Sequence, residues 1–89
     1  MNSDKNWVLQ IDDSVYKFLT KISRKEADRI LSTIRDLTVN PFRGDIQKMK
    51  GEENVWRRRI GSYRIRYELI AAEKVIHIFL AERRTSSSY

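Results

Sequence analysis

The chain has 89 residues, with 18 Lys and Arg against 12 Asp and Glu, and its formal net charge is +6. That length predicts one domain, residues 1–89, and a content of 40% hydrophobic and 10% aromatic residues is enough to build a modest core. The absence of cysteine excludes disulfides, thiol nucleophiles and cysteine–zinc sites, and a single histidine, His77, excludes any mechanism that needs two. The longest mainly apolar run, Val75 to Ala81, is far short of the ~20 residues of a membrane span. With no signal-peptide pattern at its polar N-terminus, the chain is expected to be a soluble, cytoplasmic protein that works without metal or cofactor.

In chain order, Trp7-Val8-Leu9-Gln10-Ile11 is a short β-rich run, and Asp12-Asp13-Ser14 behind it supplies a helix start. Val15, Phe18, Leu19 and Ile22 recur at helical spacing and mark the apolar face of a short amphipathic helix. Ser23 and Glu26 match a capping box, in which each side chain satisfies a free backbone amide of the next helix. That second helix carries Ala27, Ile30, Leu31, Ile34 and Leu37 on one face and stops at Asn40-Pro41, because the residue before proline is driven out of the α region.

The period then changes from helical to alternating. Ile46–Lys50 is a weak strand before Gly51, and Val55–Ile60, Gly61-Ser62 and Tyr63–Ile70 form a hairpin. Lys74–Leu80 is nearly all apolar, as expected of a strand buried on both faces. Residues 82–89 read as a polar tail. The predicted class is α+β: an N-terminal strand, a helical hairpin, then a four-stranded antiparallel run, forming one sheet with the helices on one face.

Charge is concentrated rather than scattered. The 24 residues from Arg43 to Arg66 hold eight basic side chains against three acidic ones. Six of the eight are arginines, whose planar fork can hold a phosphate through two parallel hydrogen bonds. Alternation places Tyr63, Ile65, Tyr67 and Leu69 on the face toward the helices, with Arg64, Arg66 and Glu68 opposite. Arg57 and Arg59 join the open face if the hairpin register allows it. Arg58 falls among apolar positions, with Trp56 and Ile60, and has to escape at an edge.

At these residues the sequence resembles the RelE/ParE superfamily of toxins from type II toxin–antitoxin systems. The pattern consists of Lys48-Met49-Lys50-Gly51, then Trp56-Arg57-Arg58-Arg59-Ile60-Gly61-Ser62-Tyr63-Arg64-Ile65-Arg66-Tyr67, with Asn40-Pro41 before them and Arg83 six residues before Tyr89. The resemblance implies a ribosome-dependent messenger RNA endoribonuclease of RelE type, acting in the A site of the 70S ribosome and controlled by a cognate antitoxin. It assigns Arg57, Arg59, Arg64, Arg83 and Tyr89 to the catalytic set. Glu82 stands where many relatives have histidine, which makes it a candidate general base beside Tyr89. Lys48, Lys50, Arg66 and Arg84 are expected to bind ribosome or RNA, although Lys48 and Lys50 can equally be solvated charges.

Metal-independent RNA cleavage uses the ribose 2′-oxygen as nucleophile and leaves a 2′,3′-cyclic phosphate and a 5′-hydroxyl. Negative charge gathers on the phosphoryl oxygens in the transition state, and positioned guanidiniums stabilise it there. Arginine stays protonated, so a proton acceptor has to come from another residue. Plainer readings hold elsewhere: Trp56, Tyr63 and Tyr67 suit the core, His77 is a packed or edge histidine, and Asp12-Asp13 and Glu52-Glu53 suit capping or solubility better than a metal. Two other functions compete. One is ParE-type poisoning of DNA gyrase, which leaves the arginine set without a task. The other is a non-catalytic RNA-binding module.

Overall fold

The computed structural model describes residues 6–84. The element order is β1 (Val8–Ile11), α1 (Asp13–Leu19), α2 (Arg24–Asp36), β2 (Ile46–Lys48), β3 (Val55–Ile60), β4 (Tyr63–Ile70), a 3-10 turn at Ala71–Glu73, and β5 (Val75–Arg83). The strands make one five-stranded sheet in the order β1-β5-β4-β3-β2. The four later strands pair antiparallel, as the alternating sequence predicts. β1 adds itself to the far edge and runs parallel to β5. A parallel partner needs a crossover, and here the whole stretch from α1 to β4 supplies it.

Both helices lie on one face of the sheet. Val15 and Leu19 of α1, with Ile30 and Ile34 of α2 and Leu37 at its end, pack on Ile60, Tyr63, Ile65, Tyr67, Leu69, Ile76, Ile78 and Ala81. The predicted cap of α2 forms only in half. Ser23 Oγ accepts from the Glu26 amide at 3.2 Å, while the Glu26 carboxylate turns to Arg29 at 3.8 Å instead of reaching back. Asp12 precedes α1 without a side-chain cap bond and instead meets His77 Nε2 at 3.1 Å. That contact ties His77, on the open face of β5, to the start of α1. Beyond α2 the chain is tied to the core at Pro41, whose carbonyl accepts the buried Tyr67 hydroxyl at 2.7 Å. No described helix is long and apolar enough to cross a membrane.

Two expectations about the last strand are corrected. β5 is not buried on both faces: Ile76, Ile78 and Ala81 are buried, while Val75, His77, Phe79 and Leu80 are only half-buried. Helices cover one side of it and none of the described elements covers the other. The strand also continues through Glu82 and Arg83, so these two residues belong to the sheet rather than to a tail. Their backbone is held by pairing with Arg64 and Tyr63.

Within β5 the register slips once. Tyr67 pairs with Ile78 and Arg66 with Leu80, which leaves Phe79 as an extra residue. A bulge of this kind reverses the alternation of every side chain beyond it. Before the bulge Ile76 and Ile78 face the helices; after it Ala81 and Arg83 do, and Leu80 and Glu82 face outward.

Candidate nucleic-acid interface

The hairpin register decides which arginines meet. Arg57 lies directly opposite Arg66, and Arg59 directly opposite Arg64, across β3 and β4. All four stand on the face that the helices leave open. Like charges directly opposite each other oppose strand pairing, by something on the order of the 0.2–1 kcal/mol that favourable pairs contribute. Two such pairs side by side are a local conflict inside an otherwise well-matched sheet, and conflicts of that type concentrate where a ligand has to be bound.

Neighbouring strands brace the guanidiniums. Arg57 donates to the Gln47 side-chain oxygen at 2.6 Å, and Arg59 lies 3.2 Å from the Asp45 carboxylate. Arg64 Nε donates to Glu82 at 2.7 Å, and Arg66 reaches the same carboxylate at 3.8 Å. Arg66 Nε itself is buried without a hydrogen-bond partner. Asp45, Gln47, Arg57, Arg59, Arg64 and Arg84 line a cleft of about 200 Å³. Four guanidiniums converge on it with one carboxylate in the wall, a concentration of positive charge that favours an anion.

The residues expected at the site therefore divide. Arg57, Arg59, Arg64 and Glu82 come together, with Arg66 alongside. Arg84 also joins them, its amide donating to the Ser62 carbonyl at 2.7 Å. Arg83 does not join them. It pairs with Tyr63 on the helix side, and its guanidinium lies over the Tyr63 ring, 4.9 Å from the centroid. That ring also packs edge-to-face with Phe18 of α1, their centroids 5.9 Å apart. Lys48 pairs with Trp56 and so shares the helix side, and Lys50 is exposed in the turn that follows β2. Tyr89 lies outside the described residues.

The sequence reading missed Asp45 and Gln47. Gln47 carries a usable signal, because it alternates with Ile46 and Lys48 in the weak strand and so shares the arginine face once β2 is paired with β3. Asp45 carries none, since it precedes the strand. Arg58 finds its edge as expected: it donates to the Arg43 carbonyl at 2.7 Å and to the Arg59 carbonyl at 3.3 Å, and lines a separate hollow of about 300 Å³ with Asp36, Asn40 and Gly44. Burial pushes the Tyr67 phenol from 10.0 up to about 12, partly offset by the charge of Arg58. Tyr67 is thus a neutral core group, bonded to Pro41, and takes no part in the arginine face.

Similarity to known proteins follows this architecture. The sequence profile described as "ParE toxin of type II toxin-antitoxin system, parDE" matches residues 9–85. A protein of Methanocaldococcus jannaschii named as a RelE1 toxin is 29% identical over 79 residues, covering 85% of this chain and 88% of its own. Among solved structures, the archaeal RelE–RelB complex of Pyrococcus horikoshii superposes with a TM-score of 0.81 at 25% identity, covering 92% of this chain and 99% of that one. The isolated Escherichia coli RelE toxin superposes at 0.78 with 15% identity, over 92% and 88% of the two chains, a likeness of fold. With the helical hairpin, the sheet order and the arginine-bearing hairpin all in place, the chain belongs to the ParE family within the RelE/ParE superfamily of type II toxin–antitoxin toxins.

Proposed function

We propose that this toxin is a ribosome-dependent endoribonuclease of RelE type, which cuts messenger RNA in the A site and so arrests translation in the cytoplasm. The observation that carries the reading is the double arginine ladder, Arg57 opposite Arg66 and Arg59 opposite Arg64, on an uncovered sheet face. In the reaction the ribose 2′-oxygen attacks phosphorus and the bond to the 5′-oxygen breaks. The 2′-hydroxyl proton passes to the Glu82 carboxylate, and the departing 5′-oxygen takes a proton from water. Arg57, Arg59 and Arg64 hold the phosphoryl oxygens as charge builds on them. Tyr89, which the superfamily pattern places in the catalytic set, orients or activates the nucleophile.

The partner is a cognate antitoxin. The related RelE of Pyrococcus horikoshii was solved with RelB. For this chain an antitoxin segment carrying carboxylates is the natural inhibitor, because it would occupy the same guanidiniums as RNA.

A second reading, poisoning of DNA gyrase, is favoured by the name of the matching family profile. One experiment separates the two. Purified protein is incubated with mRNA-programmed ribosomes and, separately, with the same naked mRNA, and 5′ ends are mapped by primer extension. Cuts at A-site codons only with ribosomes, lost in Arg64→Ala, establish the nuclease. Intact mRNA together with DNA breaks in a gyrase assay would establish the poison instead.

A further inference from the structure

We infer that Arg84, and not Arg83, supplies the C-terminal guanidinium that contacts the RNA phosphate, and that Arg83 is a packing residue on the other side of the sheet. The inference deepens the nuclease reading and rests on it for the identity of the ligand. The spacing to Tyr89 that the superfamily resemblance provides points to Arg83. The fold points elsewhere, because of one inserted residue.

Without the extra residue at Phe79, alternation from Ile76 and Ile78 would carry Leu80 and Glu82 toward the helices and put Arg83 on the open face. The bulge inverts that assignment. Ala81 becomes buried, at 7% exposure, and the residue two further on, Arg83, pairs with the buried Tyr63. Its guanidinium then settles over the Tyr63 ring at 4.9 Å. Arg83 is exposed, but its guanidinium is held against the aromatic ring of a buried tyrosine and is turned away from the cleft.

Arg84 takes the vacated role. It follows Glu82 on the outward side and lines the same hollow as Arg57, Arg59 and Arg64. Its backbone is anchored at the hairpin turn, with the amide on the Ser62 carbonyl at 2.7 Å and Nη1 near the Gly61 carbonyl at 3.4 Å. Unlike Arg59 and Arg64, which face Asp45 and Glu82, its described partner is a backbone carbonyl. Like Arg57, which bonds the neutral Gln47 side chain, it has no carboxylate among its described partners, so its charge is available to an anion.

The test compares Arg83→Ala and Arg84→Ala by two readouts: the salt dependence of binding to a short single-stranded RNA, and ribosome-dependent cleavage of mRNA. Thermal melting of each variant reports folding. Arg84→Ala is expected to melt like the wild type, to reduce the slope of log K against log salt by about 0.7, and to slow cleavage by about 10²-fold or more. Arg83→Ala is expected to melt lower, to keep the wild-type salt slope, and to cleave within about threefold of wild type below its transition. Arg83→Leu, which keeps packing against Tyr63, is expected to recover much of the lost melting temperature.

The assignment is overturned if Arg83→Ala melts normally and loses cleavage or salt slope while Arg84→Ala retains both. RNA binding by the wild type that shows the Arg84 effect, without any cleavage, would refute the nuclease reading and leave the assignment standing. Failure of the wild type to bind RNA at all would overturn both.

Discussion

Arg64 and Glu82 face each other across β4 and β5, and the Arg64 Nε donates to the Glu82 carboxylate at 2.7 Å in the middle of the arginine face. The pair is half-buried, with side chains 28% and 33% exposed. On the proposed reading Glu82 has two opposed roles: it neutralises part of the arginine face in the free protein, and it would accept the 2′-hydroxyl proton once RNA is bound. Glu82→Gln separates them. RNA binding is expected to tighten several-fold, because a competing anion is gone. Single-turnover cleavage is expected to fall by about 10²–10⁴, the usual worth of a general base. Unchanged cleavage alongside tighter binding would leave Glu82 with the first role only, and the proton would have to go elsewhere.

The arginine ladder makes a quantitative prediction about binding. Each guanidinium that meets a phosphate of single-stranded RNA contributes about 0.7 to the slope of log K against log salt. Alanine at Arg57, Arg59 or Arg64 is expected to lower that slope by about this amount and to reduce cleavage by about 10²–10³. Alanine at Lys48 is expected to leave both nearly unchanged, since its strand position pairs it with Trp56 on the other side of the sheet. Fluorescence anisotropy across a salt series checks all four.

Tyr67 ties the hairpin to the loop that follows α2 and gives the fold a specific alkaline limit. Its phenol pKa is raised from 10.0 to about 12 by burial, so the folded protein holds this proton more tightly than the unfolded chain does. The contribution is complete below pH 10 and is lost as pH rises from about 10 through about 12. Tyr67→Phe is expected to remove that part of the alkaline fall in melting temperature. It also leaves the Pro41 carbonyl without the 2.7 Å bond, at a cost of about 1–3 kcal/mol at neutral pH. Near-ultraviolet titration provides an independent check: a tyrosine ionisation near pH 12 should be present in the wild type and missing in the variant.

The helix layer is held by a small set of fully buried side chains, of which Ile34 is one. Ile34→Ala is expected to destabilise by about 2–5 kcal/mol, from lost burial and the cavity left behind. In a domain of this size that lowers the melting temperature by at least about 10 °C. RNA affinity measured well below the new transition should match the wild type, because the arginine face lies on the other side of the sheet.

Local patterning along the chain specifies the elements and the sides they present. Alternation in Tyr63–Ile70 assigned one side to the core and the other to Arg64 and Arg66, and spacing in Ala27–Leu37 assigned the buried face of α2. These are local properties: a strand repeats every two residues and a helix every 3.6, so the pattern is written along the chain. The class of fold and most of the arginine face followed from them, while the superfamily resemblance rested on the residue motif from Lys48 to Tyr67. What the tertiary structure decided is where that local pattern is broken or completed from afar. β1 is apolar enough to be a strand, but nothing in its sequence specifies a parallel seat beside β5. Asp45 and Gln47 brace Arg59 and Arg57 only because β2 pairs with β3 in one register. The extra residue at Phe79 carries no signature in a run of apolar side chains, yet it turns Arg83 toward Tyr63 and Arg84 toward the cleft. A bulge is set by how a strand fits its neighbour, and that fit is a relation between two segments, which neither segment encodes alone.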